Sequence, residues 1–421
     1  MMLPKAQRDR KQRMLRLFHK DLGIGFRRSC AERSESGDSG SAEPCFLLCG
    51  VFLALFLCVF LSGCAPVDAA FDGVERGVIS AMIGTPEEVK SVSEDRLAYQ
   101  QLDKPVQNLY DQMLDCILKQ KPDIPLSTTD ADECDMAYSA VMADYGGLFW
   151  VSGYSYHTYG KGDETLGFVF EPTYTMDRDE RDDTQRRIDG VVEDWLSSLP
   201  SDADDYEKSK FVFETLIDRV DYDKKSENNQ NIISVFLGGA TVCQGYADAT
   251  NYLLWQLSIP SMVITGEARG ISHAWNLVRL DGDYYYLDTT WGNSMYLNTE
   301  EKAVKHVNYA YLNIIDDELL QTHTIDTPFE LPRCNATKDN YFMREGMYFD
   351  NWSDESIGIA LSNGFYNNAK TVSVKFSNSD LYNKAKRYFI EEGHLTDYCE
   401  GLESITYMDS FDTCVLTVEY P

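Results

Sequence analysis

The spacing of apolar residues changes along the first half of the chain. From Ser93 onward they recur every three or four positions, which indicates an amphipathic helix. These positions are Leu102, Val106, Leu109, Tyr110, Met113, Ile117 and Leu118. Further on, the period becomes two in "LFWVSGYSYHTYG" and "TLGFVFEPTYTM", which predicts two paired strands. With further helices predicted over 132–144 and 184–199, residues 91–200 form an α+β region, and a helix capped by Ser201 or Asp202 is predicted to follow it and to run through Val220.

Two alternating apolar runs flank Asp281-Gly282 in "ISHAWNLVRLDGDYYYLDTTWG". An Asp-Gly pair between such runs is a strong signal for a two-residue hairpin loop. Counting outward from that loop gives three pairs, Leu280 with Asp283, Trp275 with Asp288, and His273 with Thr290. His273 and Asp288 are then diagonal neighbours on one face of the hairpin and within reach of each other.

The last ninety residues predict a small C-terminal α/β domain. "TVSVKFSN" alternates like a strand, "SDLYNKAKRYFIEEGH" is typical of a capped helix, and "ESITYMDS" with "TCVLTVEYP" predicts a terminal hairpin. The whole chain is therefore divided into a leader or anchor at 1–64, a tether at 65–90, an N-terminal α+β region at 91–200, a central domain at 201–330 and the C-terminal domain at 331–421.

One uncharged apolar run, "FLLCGVFLALFLCVFLSGC", extends from Phe46 to Cys64. It is either the core of a signal peptide or a membrane helix at the short end of what spans a bilayer. Its last four residues, Leu61-Ser62-Gly63-Cys64, resemble the lipobox of bacterial lipoproteins, which implies a lipid on Cys64. Both alternatives anchor the chain to a bacterial membrane and place the rest outside the cytoplasm.

The predicted exported part is strongly acidic. The chain has a formal charge of −30, and the residues before Cys64 hold ten Lys/Arg against six Asp/Glu. The remainder therefore carries 28 Lys/Arg against 62 Asp/Glu, a formal charge of −34. A surface of this sign does not attract nucleic acid or anionic lipid headgroups by charge, so neither is a predicted partner.

The stretch "GGATVCQGYADATNYLLWQL" predicts a helix with a cysteine in its first turn. Thr241-Val242-Cys243-Gln244 fits a capping box, with Thr241 as the cap and Gln244 reaching back to its amide. Free amides and the helix dipole stabilise a thiolate there and can hold an oxyanion. The alternative is that Cys243 belongs to the core, because its helix face is mostly apolar. That face also holds Ala247, Thr250, Leu254 and Leu257.

The predicted hairpin places an imidazole and a carboxylate side by side. A carboxylate fixes the tautomer of a neighbouring imidazole and supports its charged form, which is the orienting role in a catalytic triad. His273 and Asp288 would supply these two members, and Cys243 the nucleophile. The prediction requires the two-residue loop, because one more residue would put the pair on opposite faces.

Three segments, "DYEKSKFVFETLIDRVDYD", "VCQGYADATNYLL" and "HAWNLVRLDGDYYYLDTTW", resemble the transglutaminase-like superfamily over about residues 206–293. The resemblance implies a papain-like α+β core, in which a helix bearing the cysteine packs on an antiparallel sheet bearing histidine and aspartate. It further implies that Cys243 is the nucleophile, His273 the base and Asp288 its orienting carboxylate. Family members also use a side chain upstream of the cysteine to help stabilise the oxyanion, and Gln230 is the candidate, unless it is an ordinary loop residue.

Such a triad predicts a cell-surface thiol acyl-transfer enzyme. Cys243 would attack an amide carbonyl to give a thioester. Water would complete a cysteine peptidase or amidase reaction on a protein or a cell-wall peptide, which we favour, whereas a lysine amine would complete transglutaminase cross-linking. The third hypothesis is a binding module whose papain-like cleft holds a peptide or polysaccharide without turnover.

No cofactor or metal site is predicted from the motifs. The chain has no His-Glu-x-x-His and no paired Cys-x-x-Cys. "DADECD", at 130–135, offers the oxygens of a calcium loop but lacks the glycine and the distal glutamate of an EF-hand. This acidic segment is therefore predicted to start a helix.

Overall fold

The computed structural model describes residues 76–161, 164–293 and 306–421. The apolar run and Cys64 lie outside the described residues. Across the described ranges, none of the helices combines the length and the apolar character needed to cross a bilayer. The described residues fall into two compact units, one that contains 76–92, Asn108–Asp135 and Gly153–Thr173, and another that contains the other described segments.

Helices and strands alternate without long runs of either. After a helical segment at 76–83, the helices are α1 (Leu97–Gln100), α2 (Lys104–Leu118), α3 (Ala131–Asp144), α4 (Arg178–Leu196), α5 (Asp205–Arg219), α6 (Cys243–Gln256), α7 (Thr289–Gly292), α8 (Asp316–Leu319), α9 (Tyr341–Arg344), α10 (Asp354–Tyr366) and α11 (Ser379–Ala385). The strands are β1 (Ile124–Pro125), β2 (Val151–Lys161), β3 (Glu164–Tyr174), β4 (Asp221–Tyr222), β5 (Ala240–Thr241), β6 (Ser261–Ala268), β7 (Ile271–Leu280), β8 (Asp283–Leu287), β9 (His323–Ile325), β10 (Tyr348–Phe349), β11 (Thr371–Phe376), β12 (Thr406–Ser410) and β13 (Val415–Glu419). Single helical turns lie at Ser234–Gly238, Tyr309–Tyr311, Lys386–Glu391, His394–Asp397 and Phe411–Thr413.

The smaller unit contains a three-stranded sheet of order β1-β3-β2. The two alternating runs of the sequence form β2 and β3 as neighbours, as predicted. Most of α2 belongs to the same unit, and its inward face is apolar and buried from Leu109 to Leu118. Lys121, which follows α2, is paired with Glu87 at 3.0 Å and with Asp115 at 3.1 Å.

In the larger unit, α1 and the end of α3 are tied together by one buried carboxylate. Asp144 is inaccessible to solvent and accepts the backbone N–H groups of Ala98 and Tyr99, each at 2.9 Å. Arg96 donates to the carbonyl of Asp144 at 2.7 Å and lies 3.5 Å above the ring of Trp255, near the end of α6. The back of the cysteine-bearing helix is thus covered by the residues that precede α2.

Helix α5 starts later than the sequence pattern predicted. Its cap is Asp204, whose side chain accepts the N–H of Glu207, while the Glu207 carboxylate accepts the N–H of Asp204. This complete capping box satisfies two free amides at once, which favours a start at Asp205 over one after residue 202. Apolar side chains of α5 then pack toward α6 and α7, with Phe213 and Leu216 fully buried.

The sheet beside α6 is antiparallel and has the order β8-β7-β6-β9. Strands β7 and β8 form the predicted hairpin with Leu280 opposite Asp283. Asp281 and Gly282 have φ values of 49° and 95°, the left-handed conformations that a tight two-residue hairpin loop requires. The side chain of Asn276 in β7 donates to the carbonyl of Ala247 at 2.9 Å, which fixes the sheet against α6.

The C-terminal residues form a mixed sheet of order β10-β11-β13-β12, with β12 and β13 as the predicted terminal hairpin. Helix α10 was not predicted, and Ser353 caps it by accepting the N–H of Ser356 at 3.1 Å. Lys375 in β11 forms a 2.5 Å ion pair with Glu318 of α8. Six cysteines lie within the described ranges, and none of them forms a disulfide bond there.

Candidate active site

Helix α6 begins at Cys243, so the cysteine does lie in the first turn, but the predicted capping box is wrong. Val242 is the residue before the helix, and no side chain caps it. Thr241 lies in β5 instead, where its hydroxyl donates to the carbonyl of Asn229 at 3.1 Å and accepts from Ser234 at 2.7 Å. Because these bonds hold the hydroxyl away from the helix, the amides of the first turn stay unoccupied by Thr241.

Gln244 also makes a different bond from the one predicted. Its Nε2 donates to Oδ1 of Asp248 at 2.9 Å, one turn along α6, rather than reaching back to residue 241. Asp248 is buried, and burial raises the pKa of its carboxyl well above the usual range while the Gln244 hydrogen bond lowers it. The glutamine beside the cysteine therefore stabilises the helix interior.

Gly245 lets the loop and the helix approach each other closely. A Cβ at this position would lie 2.0 Å from Oγ1 of Thr241 and 3.2 Å from the carbonyl oxygen of Asn229. No side chain fits in that space, which explains the glycine two residues after Cys243. The close contact fixes the start of α6, and with it the position of the thiol.

His273 and Asp288 meet at the open end of the β7–β8 hairpin. Nε2 of His273 lies 2.8 Å from Oδ2 of Asp288. The paired register of β7 and β8 ends at Asn276 and Leu287, one pair before Trp275 and Asp288 would meet. It ends there because the chain turns into α7 after Asp288. The predicted pairings of Trp275 with Asp288 and of His273 with Thr290 were therefore wrong, although the prediction that His273 and Asp288 are neighbours agrees with this geometry.

The aspartate serves the fold and the site at the same time. Oδ1 of Asp288 accepts the N–H of Trp291 at 3.0 Å and so caps α7. Oδ2 is thereby directed at His273. Burial alone would raise the pKa of Asp288, but the charge and hydrogen bond of His273 lower it well below its usual range. The carboxylate is ionised at neutral pH.

The charge on Asp288 controls the protonation of His273. Burial lowers the pKa of the imidazole, but the attraction of the Asp288 carboxylate outweighs it and raises that pKa to about 10. A hydrogen bond with the Cys243 thiol acts in the same direction. Since Nε2 faces Asp288, Nδ1 is the nitrogen left to exchange a proton with the thiol. The arrangement can form an imidazolium beside a thiolate.

Cys243 differs from the other two residues in its access to solvent. It is half-buried, whereas the side chains of His273 and Asp288 are 2% and 0% exposed. Cys243 thus keeps part of its surface toward solvent, while water is kept from the His–Asp pair. The structure brings the three predicted residues together from α6, β7 and the β8–α7 junction.

Two tryptophans enclose the imidazole. The ring of Trp275 stacks on His273, with centroids 6.0 Å apart and planes inclined by 22°. Trp291 approaches the same imidazole at 6.1 Å and lies under the guanidinium of Arg269 at 5.3 Å. Both indole rings are buried, so they exclude water from the His–Asp contact.

A second histidine shares the same carboxylate, and the sequence pattern did not predict it. Nε2 of His323 in β9 lies 3.1 Å from Oδ2 of Asp288. It arrives there because β9 pairs with the far edge of β6, with His323 opposite Ala268. The short segment "THTI" gave no periodic signal strong enough to predict a strand, and the pairing joins residues 55 positions apart.

These three side chains are also the one group in the described residues that could hold a metal ion. Ligand atoms around a tetrahedral zinc ion at ordinary bond lengths are separated by about 3.3 Å. Here the two imidazole nitrogens lie 2.8 and 3.1 Å from a single oxygen of Asp288. These distances fit two hydrogen bonds to one carboxylate oxygen better than three ligands around a common centre.

Gln230, the predicted oxyanion residue, is exposed in the loop before α6. Its Nε2 donates to Oδ1 of Asn229 at 2.9 Å. The neighbouring Asn229 carbonyl accepts from Thr241 next to the start of α6. Gln230 thus lies beside residues that contact the first turn, but its amide is engaged with its neighbour in the loop.

A partly exposed thiol at a helix start, facing a buried histidine and aspartate on an antiparallel sheet, is the arrangement of papain-like enzymes. Residues 196–289 match the family model of the transglutaminase-like superfamily. The chain therefore contains a transglutaminase-like domain, and the predicted α+β, papain-like fold class is confirmed. No curated protein matches the chain.

Three solved structures show distant similarity. A structure named as a TGase is 11% identical and covers 43% of this chain and 53% of its own, with a TM-score of 0.26. A candidate cysteine protease from Cytophaga hutchinsonii is 18% identical, and the match covers 33% of this chain and 62% of that protein, with a TM-score of 0.23. A candidate protease from Parabacteroides distasonis is 11% identical, and the match covers 34% of this chain and 36% of that protein, with a TM-score of 0.21. The match thus spans less than two thirds of each of these structures.

Proposed function

We propose that the protein is a thiol acyl-transfer enzyme in which Cys243 is the nucleophile, His273 the proton carrier and Asp288 its orienting carboxylate. The observation that supports this most is the combination of a partly exposed cysteine with a buried imidazole that already contacts a buried carboxylate. A cysteine that merely filled the core would need no such partner. The non-enzymatic binding module is disfavoured for the same reason.

The first half of the reaction forms a thioester. The Cys243 thiolate attacks the carbonyl carbon of an amide, and its electron pair makes the new C–S bond. The N–H groups at the start of α6 receive the oxyanion, since a helix start presents free amide donors. When the tetrahedral intermediate collapses, the C–N bond breaks and His273 gives its proton to the leaving amine.

The second half returns the thiol. His273, now neutral, removes a proton from water, and the resulting hydroxide attacks the thioester carbonyl. The C–S bond breaks, the carboxylic acid leaves, and Cys243 is restored. We favour this hydrolytic outcome, a peptidase or amidase acting on a protein or cell-wall peptide, because water requires no second binding site. In the transglutaminase alternative, a lysine amine takes the place of water.

Gln230 has an accessory role in this proposal. Its amide would turn from Asn229 toward the substrate oxygen and add a donor to those of the helix amides. The exposed position leaves room for that rotation. A Gln230→Ala variant tests this: a loss of about tenfold or more in rate supports an oxyanion role, because one such donor is worth about 10²-fold or more when it is fully engaged.

In this proposal the enzyme works at the bacterial cell surface. The support is the sequence alone: the apolar run to Cys64 ends in a lipobox-like motif, and the rest of the chain is acidic. A lipid on Cys64 would hold the chain at the membrane. The test is Cys64→Ser, which should release or misprocess the protein in cell fractionation, whereas unchanged size and membrane retention would favour a plain membrane helix.

Labelling with iodoacetamide at pH 6 to 7 tests the nucleophile. Wild type, Cys243→Ala and His273→Ala are compared by mass spectrometry, with Cys414 as the internal reference because it is also half-buried and free. Burial raises the pKa of the Cys414 thiol, so it should react slowly. Cys243 should be labelled much faster in wild type than in His273→Ala. Equal rates at the two cysteines, unaffected by His273, would refute the catalytic role.

A second measurement separates hydrolysis from transfer. The protein is incubated with casein and a labelled primary amine, and the products are analysed by mass spectrometry. New termini without amine incorporation indicate a peptidase, and glutamine-linked amine indicates a transglutaminase. The Cys243→Ala variant is the control in both cases, because either reaction requires the thioester.

A further inference from the structure

His323 contacts the centre of the proposed site without belonging to the predicted triad. Its Nε2 lies 3.1 Å from Oδ2 of Asp288, the same oxygen that accepts from His273 at 2.8 Å. His323 is 1% exposed, and its ring centroid lies 5.5 Å from that of His273. Two imidazoles and the N–H of Trp291 thus surround one buried carboxylate.

The bond directions follow from the chemistry of the carboxylate. Ionised Asp288 can only accept hydrogen bonds, so Nε2 of His323 must donate to it. In the neutral ring, Nδ1 is then bare and accepts from the hydroxyl of Thr322, which lies 2.8 Å away. Thr322 therefore donates to His323, and His323 donates to Asp288. These two hydrogen bonds fix both the tautomer and the orientation of the His323 ring.

The fold brings His323 to this place by a close approach of two strands. Gly266 in β6 pairs with His273 on one side and with Ile325 of β9 on the other. A Cβ on Gly266 would lie 2.0 Å from the carbonyl oxygen of Thr324 and 2.8 Å from the ring of Trp275. This glycine lets β9 approach closely enough for His323 to reach Asp288.

We propose that His323 is a positioning residue that acts through Asp288: it holds the carboxylate in place and draws part of its charge away from His273. The inference rests on the proposed function, because it assigns His323 to the same proton transfer. A hydrogen bond from His323 stabilises the negative charge on the shared oxygen, so that oxygen holds the proton of His273 less tightly. His273 must give up its proton to the leaving amine and later take one from water, so an imidazole that binds its proton too tightly slows the cycle.

The groups around the His273 imidazole come from several elements. Besides His323 of β9, Cys243 of α6 and Asp288 before α7 act on the ring, Tyr311 lies near the carboxylate, and the Arg269–Asp412 ion pair lies above Trp291. All of these groups other than His323 are still present when His323 alone is replaced. The effect of that replacement on His273 is therefore attributable to the shared hydrogen bond.

The test follows His273 directly, by NMR of protein with ¹³C-labelled histidine, in a Cys243→Ala background that removes the thiol. His323→Leu fills the space and removes the donor, whereas His323→Gln keeps an amide donor near the position of Nε2. The pKa of His273 should rise by about one unit in His323→Leu. In His323→Gln, the pKa of His273 should stay close to its value in the Cys243→Ala protein with His323 intact. A structural role alone would lower stability in both variants and leave the titration unchanged.

An unchanged titration in folded His323→Leu overturns the inference. If that variant does not fold, Thr322→Val decides, because it removes only the hydroxyl that holds Nδ1, at a half-buried position. Its His273 titration should move in the same direction by a smaller amount, and no movement would again overturn the inference. The iodoacetamide labelling is independent of these spectra, so the proposed function and the role of His323 fail separately.

Discussion

Nε2 of His273 lies 2.8 Å from Oδ2 of Asp288, and both side chains are buried. In water such a pair would gain little, but in a buried site the same Coulomb attraction is several times stronger. It outweighs the cost of burying the imidazole, so the pKa of His273 rises to about 10. The proposed mechanism depends on this balance, because a protonated His273 at neutral pH stabilises a thiolate on Cys243.

Replacement of Asp288 by asparagine should keep the geometry and remove the charge. The amide oxygen can still accept the N–H of Trp291, so α7 should keep its cap. The pKa of His273 should fall from about 10, because only burial would then act strongly on it. Turnover should drop by about 10³–10⁴-fold, as expected when a triad carboxylate is neutralised.

The measurement for Asp288→Asn is the pH dependence of Cys243 alkylation together with the rate on casein. Asp281→Asn is a matched control, since Asp281 is an exposed loop residue of the same hairpin that pairs with Lys338. The control should behave like wild type. Equal alkylation profiles for Asp288→Asn and Asp281→Asn would contradict the orienting role.

The pH dependence of stability should also report the His273 pair. The pKa of His273 is raised from 6.5 in the unfolded chain to about 10 in the folded protein. Its stabilisation is therefore complete below pH 6.5 and is lost as the pH rises toward about 10. The difference in free energy of unfolding between wild type and His273→Gln should shrink across this window. Urea unfolding at pH 6, 8 and 9.5 measures it, and parallel curves would contradict the shift.

Gly245 offers a test of how the start of α6 is fixed. In Gly245→Ala the new Cβ would lie 2.0 Å from Oγ1 of Thr241, so the loop or the helix must move. We expect a loss of about 1–3 kcal/mol in the free energy of unfolding and slower labelling of Cys243. Gly190→Ala is the matched control in α4, where the Cβ would meet nothing within 4 Å. That control should stabilise by about 0.5–1 kcal/mol.

Local sequence patterns were sufficient to predict the parts of the site that depend on local structure. Asp281-Gly282 specifies the hairpin loop, the loop sets the register, and the register brings His273 next to Asp288. Cys243 was also predicted to lie in the first turn of a helix, and it does, although the Thr241/Gln244 capping box behind that prediction is not formed. Each of these depends on residues close together in the chain.

What the sequence could not predict depends on contacts between distant segments. Thr241 has the sequence position of a helix cap, but its hydroxyl bonds to Asn229 and Ser234 instead. These residues lie within reach because the loop that contains them passes beside Thr241. His323 reaches Asp288 only through the pairing of β9 with β6. A single sequence contains no signal for such pairings, since a three-residue strand has too few positions to show a period.

The last prediction concerns Trp275, which the hairpin places beside His273. The ring is 1% exposed and stacks on the imidazole, and within the described residues its Nε1 has no hydrogen-bond partner. Trp275→Phe therefore loses contact area but no hydrogen bond. It should lower the free energy of unfolding by about 1–2 kcal/mol, with the His273 titration retained.

Trp275→Ala should lower the free energy of unfolding by about 3–5 kcal/mol and admit water to the site. Water would screen the Asp288 charge, so the pKa of His273 should fall in Trp275→Ala. Urea unfolding and histidine NMR measure the two effects, and a titration that survives Trp275→Ala would show that this indole does not exclude water from the pair.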